Sequence, residues 1–289
     1  MSWVNAVVQG ILLGGLYALV AAGLSLVFGV MRIVNLAHGM LAVLAAFGAY
    51  VLGDALGLHP FLALLVVVPV MAAVGYGLQR GLLNRALGGG ELAPLLVTFG
   101  LAIVLQNALL EAFSADSRRL DVGALGTASI RLGDGLTIGV FPLLAAVVGV
   151  LVIAAIGQFL ARTATGRAMR ATSDDRDAAA LMGIDGRHLY GVATAIALGT
   201  VAIAGVFLGA RSTFDPAAGG VTLIFAFEAV VIGGLGSLWG TLLGGVVLGV
   251  AQALGAAVDP AYGVLAGHLV FLVVLATRPR GLLPSAVTA

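Results

Sequence analysis

Apolar stretches of about 20 residues recur along the whole chain, and they constrain its fold more than any other feature. An α-helix of that length crosses the hydrocarbon core of a bilayer with its backbone hydrogen bonds satisfied internally. Only 9% of the residues are charged, whereas a soluble domain carries about 25%. The sequence therefore predicts an all-α integral membrane protein, a polytopic helical bundle. The apolar segments cover 4–29, 40–53, 61–78, 93–110, 141–160, 190–210, 238–257 and 262–277, with a shorter one at 221–232.

Two interruptions leave the number of membrane segments open. The polar sequence 30–39 separates the first two apolar segments, and it is either a loop between two crossings or a re-entrant turn that removes one crossing. The segment 221–232 is shorter than the roughly 20 residues of a full span and ends at the glycine-rich sequence 233–237, a pattern typical of a half-helix. We therefore expect eight to nine membrane segments, at least one of them a broken or half-length helix.

The arginines indicate which side of the membrane each connection faces. All 14 basic residues are arginine, and basic residues concentrate in cytoplasmic loops. The first apolar run continues too long for a signal peptide, so it is predicted to be the first span. An N-terminus outside and a C-terminus in the cytoplasm place most arginines inside and require an odd number of crossings. The inside set is Arg32, Arg80, Arg85, Arg162, Arg167, Arg170, Arg176, Arg187, Arg278 and Arg280, and the outside set is Arg118, Arg119, Arg131 and Arg211.

The polar stretch 162–188, predicted to be cytoplasmic, has the pattern of a short surface helix. Ser173 is a favourable N-cap, and Gly183 is a typical residue just beyond a helix C-terminus. Ala178, Leu181 and Met182 share one helical face between these two signals. Such a helix can dock into a groove on a soluble partner. The alternative is an ordinary solvated loop, which the agreement of both capping signals and the apolar face makes less favourable.

The motifs of this stretch and of several others resemble one family of membrane proteins. G-R-A-M-R-A at 166–171, followed by D-x-x-A-A-x-x-M-G-I-D at 175–185, resembles the coupling loop of ABC importers, and most closely that of the branched-chain amino-acid (Liv-type) permeases. N-x-A-H-G at 35–39, the glycine-rich segment 226–250 and R-P-R-G-L at 278–282 resemble further signatures of that family. Met40 is a departure, because the family often has an acidic residue at this position. The length fits the shorter of the two partner permeases.

This resemblance implies a function and a set of partners. The whole chain, 1–289, would be a single transmembrane permease domain of an ATP-driven ABC importer in the cell inner membrane, moving branched-chain or related amino acids inward by alternating access. Its partners would be a second permease subunit in a heterodimer, two ATP-binding subunits and an extracytoplasmic substrate-binding protein. No cofactor is expected on this chain, since ATP and Mg²⁺ would bind to the ATPase subunits. Permeases for urea or short amides remain an alternative, as does an ATP-independent channel or secondary transporter.

The resemblance also assigns the residues that couple the permease to its ATPases. They lie within 162–188, the expected cytoplasmic coupling loop. The set is Gly166, Arg167, Arg170, Ala171, Asp175, Ala179, Gly183, Ile184 and Asp185.

Polar groups at membrane depth are costly unless they are paired, so each is a candidate for the substrate pathway. Asn35 and His38 lie where a helix is expected to break, and a break frees backbone groups that can meet a zwitterion. The alternative is that Asn35 caps a helix and His38 bonds a neighbouring carbonyl. Glu228 lies before the glycine break and either lines a pathway or pairs with an arginine near the interface. Gly233 is a further pathway candidate, with close backbone packing as its alternative.

No pattern of residues supports an enzyme. The sequence 233–240 lacks the G-x-S-x-G elbow of a serine hydrolase, and neither an HExxH metal motif nor a Walker loop is present. With zero cysteines, thiol catalysis and cysteine-bound metals are excluded. A formal net charge of +1 gives no basis for nucleic-acid binding. We therefore expect no catalytic or metal site, and any ATP hydrolysis must occur on another chain.

Overall fold

The computed structural model describes residues 3–90, 92–131 and 136–283, and these residues form a bundle of α-helices with one short β-hairpin. In the hairpin, β1 (Ser129–Arg131) pairs antiparallel with β2 (Thr137–Gly139), with Ile130 opposite Ile138. The helices are α1 (Trp3–Met31), α2 (His38–Leu56), α3 (Pro60–Leu78), α4 (Asn84–Ala86), α5 (Leu92–Phe113), α6 (Val140–Arg162), α7 (Ala164–Asp174), α8 (Arg176–Leu181), α9 (Gly186–Arg211), α10 (Gly219–Gly233), α11 (Leu238–Val258) and α12 (Tyr262–Thr277).

In the described part of the chain, nine apolar helices are candidate membrane segments. Seven are long and apolar enough to span a bilayer, and one of these continues from α3 through a π-helical turn and α4 to Gly89. The other two, α10 and α12, are apolar but have only 15 and 16 residues. This confirms the predicted polytopic helical bundle and the half-length helix at 221–232.

The two ends of the bundle differ in the segments that they carry. One end, called the arginine face below, carries α4, α7 and α8, and here the Asn84 side chain donates a hydrogen bond to the carbonyl of Arg187 (3.3 Å). The other end, called the opposite face, carries the connection after α5, where Arg118 and Phe214 form an isolated antiparallel bridge. The chain passes between these faces nine times, starting at the opposite face with α1 and ending at the arginine face after α12. Nine passes agree with the predicted eight to nine membrane segments.

The first break lies after α1 and explains how a re-entrant segment can coexist with nine crossings. Arg32 ends α1 with a left-handed φ of 56° while its amide still donates to the Phe28 carbonyl (2.8 Å). Residues 32–37 then run back into the bundle, so that α2 starts beside the middle of α1, where the His38 imidazole meets the Val20 carbonyl (2.8 Å). The Leu36 amide is held by the Thr98 hydroxyl of α5 (3.1 Å). Segment 32–37 and α2 together make one crossing.

The second break, between α9 and α10, repeats this arrangement at the opposite face. Residues 212–218 return into the bundle, and α10 starts where its first residue, Gly219, contacts Gly39 of α2. A Cβ on Gly39 would overlap the Gly219 carbonyl oxygen, and one on Gly219 would overlap the Met40 side chain. The first turns of α2 and α10 therefore cross at backbone contact inside the protein, which only glycine permits.

Matching hydrogen bonds show that the two breaks are equivalent structures. The Asn35 side chain accepts from the Ala37 amide (3.0 Å), and the Asp215 side chain accepts from the Ala217 amide (2.7 Å). In each segment the amide of the following residue donates to the backbone carbonyl of the same Asn or Asp. His38 donates to Asn35 at 3.2 Å, and Ala218 donates to Asp215 at 3.1 Å. Each residue lies 180 positions after its counterpart, and Gly219 matches Gly39 in the same way.

The equivalence extends to whole helices. α9 corresponds to α1, α10 to α2 and α11 to α3. The packing of α1 against α11 therefore matches that of α9 against α3, and the packing of α2 against α9 matches that of α10 against α1. The described chain therefore contains two units of four crossings, one made of α1, α2, α3 and α5 and the other of α9, α10, α11 and α12. Because α1 and α9 run in opposite directions, the second unit is inverted relative to the first. α6 belongs to neither unit and connects them.

Glycine allows the closest of these helix contacts. A Cβ on Gly14 of α1 would overlap the Val246 backbone, and a Cβ on Gly245 of α11 would overlap the Gly14 carbonyl. Small residues bring backbones together where lipid gives no hydrophobic drive for helix association. α1 is accordingly the most buried span, with 83% of its apolar window inside the bundle.

Candidate functional site

The segment 162–188 folds into α7 and α8 on the arginine face, and α7 is fastened to the bundle. Thr163 caps α7 by accepting from the Gly166 amide (2.9 Å). Gly166 lies against the end of α6, where a Cβ would overlap the Phe159 carbonyl. Met169 is fully buried, and the Ser173 hydroxyl donates to the Gly29 carbonyl near the end of α1 (2.6 Å). A displacement of α7 therefore acts directly on α1 and α6.

Helix α8 is shorter than predicted and begins at a different cap. Ser173 does not cap it, because that residue lies in the last turn of α7 and its hydroxyl is bonded to α1. Asp175 is the cap instead, accepting from the amides of Asp177 (3.0 Å) and Ala178 (2.9 Å). The predicted ending is confirmed: Gly183 has a φ of 81°, and the residue after it, Ile184, bonds back to the Ala179 carbonyl (3.1 Å). With the bond from the Gly183 amide to Ala180 (3.0 Å), this is a Schellman motif.

The end of α8 presents apolar side chains to solvent. Leu181 is 89% exposed and Met182 is 82% exposed. These two residues of the predicted apolar face therefore do not pack against the bundle. Ala179 points the other way and is buried, so it holds α8 to the bundle rather than facing outward. Arg167, Arg170 and Ala171 are also exposed, on α7.

The far end of the segment is tied to α9 and to the α3–α4 connection. Asp185 caps α9 by accepting from the His188 amide (3.2 Å), and its carboxylate lies 4.0 Å from the Arg80 guanidinium. The Arg176 guanidinium lies over the Tyr190 ring of α9, 5.4 Å from its centroid. The segment therefore touches α1, α6, α9 and the end of α3, which lets a force on α8 reach both inverted units.

Asn35 and His38 lie together at the first break, fully inside the protein. Asn35 orders the turn by accepting from the Ala37 amide, but it does not cap α2, whose N-cap is Ala37. The His38 imidazole bonds a carbonyl, that of Val20, as the alternative predicts. The His38 side chain is 1% exposed, and its Nε2 must carry a proton, since the Val20 carbonyl can only accept. Both side chains are thus structural in this conformation, while their part in the substrate pathway stays a prediction.

Glu228 pairs with a histidine rather than with an arginine. Its Oε1 lies 2.5 Å from Nδ1 of His268 on α12, and its side chain is 4% exposed against 39% for the histidine. Phe225 stacks on His268 and also lies against Tyr17, whose hydroxyl donates to Gln252 Oε1 (2.6 Å). Among the described residues, Glu228 Oε2 and Gln252 Nε2 have no hydrogen-bond partner. This cluster joins α1, α10, α11 and α12 at membrane depth.

Gly233 ends α10 near the arginine face, in close contact with α11. A Cβ there would overlap the Gly240 carbonyl, and its own carbonyl accepts from the Leu283 amide (2.9 Å). The backbone then turns through Gly234 and Gly236, both at positive φ, before Ser237 caps α11. The contacts of Gly233 are those of helix packing, and a role in the substrate pathway remains a prediction.

The second break borders a cavity of about 410 Å³ that the sequence did not predict. Tyr17 and Val20 of α1 form one wall, Arg211 and Asp215 lie on the opposite-face side, and Thr222 lies in the first turn of α10. The sequence places Arg211 only among the outer arginines, and no local pattern marks Tyr17. Two other cavities, of about 580 and 410 Å³, are lined by apolar side chains of α2, α3, α5, α6 and α9. Charged side chains in its lining distinguish the cavity at the second break from these two apolar cavities.

Comparison with known proteins gives consistent matches. The family described as the permease component of branched-chain amino acid transport systems matches residues 6–276. BraD of Pseudomonas aeruginosa, a high-affinity branched-chain amino acid transport system permease protein, is 33% identical over 97% of this chain and 95% of its own. LivH of Escherichia coli K12, described in the same words, is 27% identical over 95% and 93%. FrcC of Rhizobium meliloti, a fructose import permease protein, is 34% identical over 63% of this chain and 53% of its own.

Proposed function

Because the chain belongs to the family of permease components of branched-chain amino acid transport systems, we propose that it is the membrane-spanning subunit of an ATP-driven importer for branched-chain amino acids. In this proposal α7 and α8 receive the motion of ATPase subunits and pass it to the helices of both inverted units. ATP and Mg²⁺ bind to those partner subunits. The chain itself supplies the path across the membrane.

The proposal fixes an orientation and a set of partners. The arginine face would be cytoplasmic, because it carries most of the arginines that the positive-inside rule keeps there. The N-terminus would then be outside and the C-terminus inside, in the cell inner membrane. A second permease subunit would complete a heterodimer, two ATP-binding subunits would dock on the arginine face, and a substrate-binding protein would dock on the opposite face.

One observation carries the coupling role: Leu181 and Met182 are exposed at the end of a helix that is capped at both ends. Exposed apolar side chains on an ordered polar surface mark interaction sites. The Schellman motif and the Asp175 cap hold α8 in one conformation, so docking would order little additional chain. Four helices meet the segment 162–188, so the docked partner would move a rigid unit rather than a flexible loop.

The test removes the apolar pair without adding charge. Leu181→Ser with Met182→Ser should weaken association of the ATPase subunits on the order of a hundredfold, since two buried side chains contribute about 3 kcal/mol together. Co-purification and leucine uptake into proteoliposomes measure the effect. Ala164→Ser, at an exposed position of α7, is the matched control and should change neither. Undiminished association of the double variant would refute this docking role.

A further inference from the structure

The cavity at the second break has the shape of a vestibule that reaches the middle of the protein. It extends along α1 from Leu13 to Val20, about 10 Å at 1.5 Å per residue. Its inner end lies beside the crossing of α2 and α10, because Val20 borders the cavity and the Val20 carbonyl bonds His38 at the start of α2. Its volume of about 410 Å³ lies within the range of about 300–1,000 Å³ found for small-molecule sites.

The lining combines an unpaired cation, a carboxylate and an apolar wall. Within the described residues, the guanidinium of Arg211, an exposed residue at the end of α9, makes no hydrogen bond or ion pair and is free to bind a ligand. Asp215 supplies a carboxylate to the same cavity, and one of its oxygens is held by the Ala217 amide. Leu16, Leu208 and other aliphatic or aromatic side chains form the apolar part of the remaining surface, and Ser212, Thr213 and Thr222 add hydroxyl groups. Such a lining matches a small zwitterion that carries an apolar side chain.

The equivalent position in the first unit is filled. His38 stands where the second unit has Ala218, and its side chain packs beside Gly23 and closes the space. Ala42, fully buried, stands where the second unit has Thr222. The inverted repeat thus has an open half at the opposite face and a closed half at the arginine face, as expected for one state of an alternating-access protein.

We propose that the cavity between α1, α9 and α10 is the site at which an α-amino acid enters from the opposite face, with Arg211 binding its carboxylate. Asp215 faces the ammonium group, and the aliphatic wall receives the side chain. This inference rests on the proposed function for its direction of entry. A planar guanidinium suits a carboxylate because it offers two parallel N–H donors.

The experiment uses the natural absence of cysteine from the chain. Thr222→Cys is introduced into the assembled transporter in proteoliposomes without the substrate-binding protein, and a membrane-impermeant methanethiosulfonate is added to the opposite face. We expect rapid modification of the Thr222→Cys variant and none of Ala42→Cys, the matched position of the closed half. L-Leucine at about ten times its Kd should slow modification about tenfold, because about a tenth of the sites remain free.

Ligand fragments separate the roles of the two charges. 4-Methylpentanoate, which lacks the amine, should protect Thr222→Cys better than 3-methylbutylamine, which lacks the carboxylate. Adding Arg211→Gln should leave the cysteine reactive but remove protection by leucine and by 4-methylpentanoate.

Three results would overturn the site: an unreactive Thr222→Cys, protection by D-fructose in place of leucine, or leucine protection that survives Arg211→Gln. ATP-driven leucine uptake by the unaltered transporter, with its substrate-binding protein added, is measured in parallel. Uptake without protection refutes the site alone, whereas absent uptake in the unaltered transporter refutes the proposed function.

Discussion

Gly39 and Gly219 place two helix starts in backbone contact, which makes the crossing sensitive to a single methyl group. Gly39→Ala should destabilise the protein by about 3 kcal/mol, the upper end of the usual cost of overpacking, because the obstacle is a carbonyl oxygen that no side-chain rotation can move. Thermal unfolding in detergent measures the change. Gly77→Ala in α3, which meets no atom within 4 Å, should instead add about 0.5–1 kcal/mol. Equal stability of the two variants would contradict the close crossing.

Single residues also show where sequence reasoning succeeds and where it stops. Asn35, His38 and Glu228 were identified because polar side chains are expensive at membrane depth, and all three are buried. Their partners depend on helices far along the chain, so the Glu228–His268 pair could not be read from local sequence. The sequence indicates only an outer position for Arg211, because a residue at a helix end and one at the edge of a cavity have the same local pattern.

At the scale of one helix, α7 links the docking segment to the transmembrane helices through a specific hydrogen bond. Ser173→Ala removes the bond to the Gly29 carbonyl, worth about 1 kcal/mol, and should lower the amount of leucine transported per ATP about fivefold. ATPase association should persist, because the exposed pair on α8 is untouched. Uptake and phosphate release, measured on the same proteoliposomes, give the ratio.

The neighbouring hydroxyl provides the control for this prediction. Thr172 is also buried, but it bonds only to the Ala168 carbonyl within α7. Thr172→Ala should therefore leave the transport ratio close to that of the unaltered protein. If both variants uncouple transport equally, the link between α7 and α1 has no special part in transmission.

The boundary between α7 and α8 illustrates competition between local rules. Ser173 and Asp175 are both good N-caps, and sequence alone favoured the first. The structure uses Asp175 because the Ser173 hydroxyl has a tertiary partner on α1. The half-length of α10 was easier to predict, since the length of an apolar run and the glycines that end it are both local features.

For the whole molecule, the proposed orientation places the opposite face outside the membrane and the arginine face in the cytoplasm. Asp116 and Asp177 are exposed on the opposite and arginine faces respectively. In intact cells, an impermeant thiol reagent should label Asp116→Cys and should label Asp177→Cys only after the membrane is permeabilised. The reverse pattern would invert the proposed orientation. The cysteine-free background makes each signal specific to one position.

The inverted repeat was not foreseen from sequence, for a physical reason. A transmembrane helix needs apolar residues whichever way it runs, so hydropathy does not distinguish a unit from its inverted copy. The matched positions with obvious identity are few, such as Ala37 with Ala217 and Gly39 with Gly219. The relation becomes visible only through the matching backbone hydrogen bonds and helix contacts.

Helix α6, which belongs to neither unit, has a consequence of parity. Each unit contains four crossings, an even number, so a direct fusion of the two would leave both in the same orientation. One additional crossing reverses the second unit and also returns the chain to the face where α7 and α8 begin. Any variant of this architecture must therefore keep an odd number of crossings between the two units. Deletion of α6 alone would reverse the orientation of the second unit in the membrane.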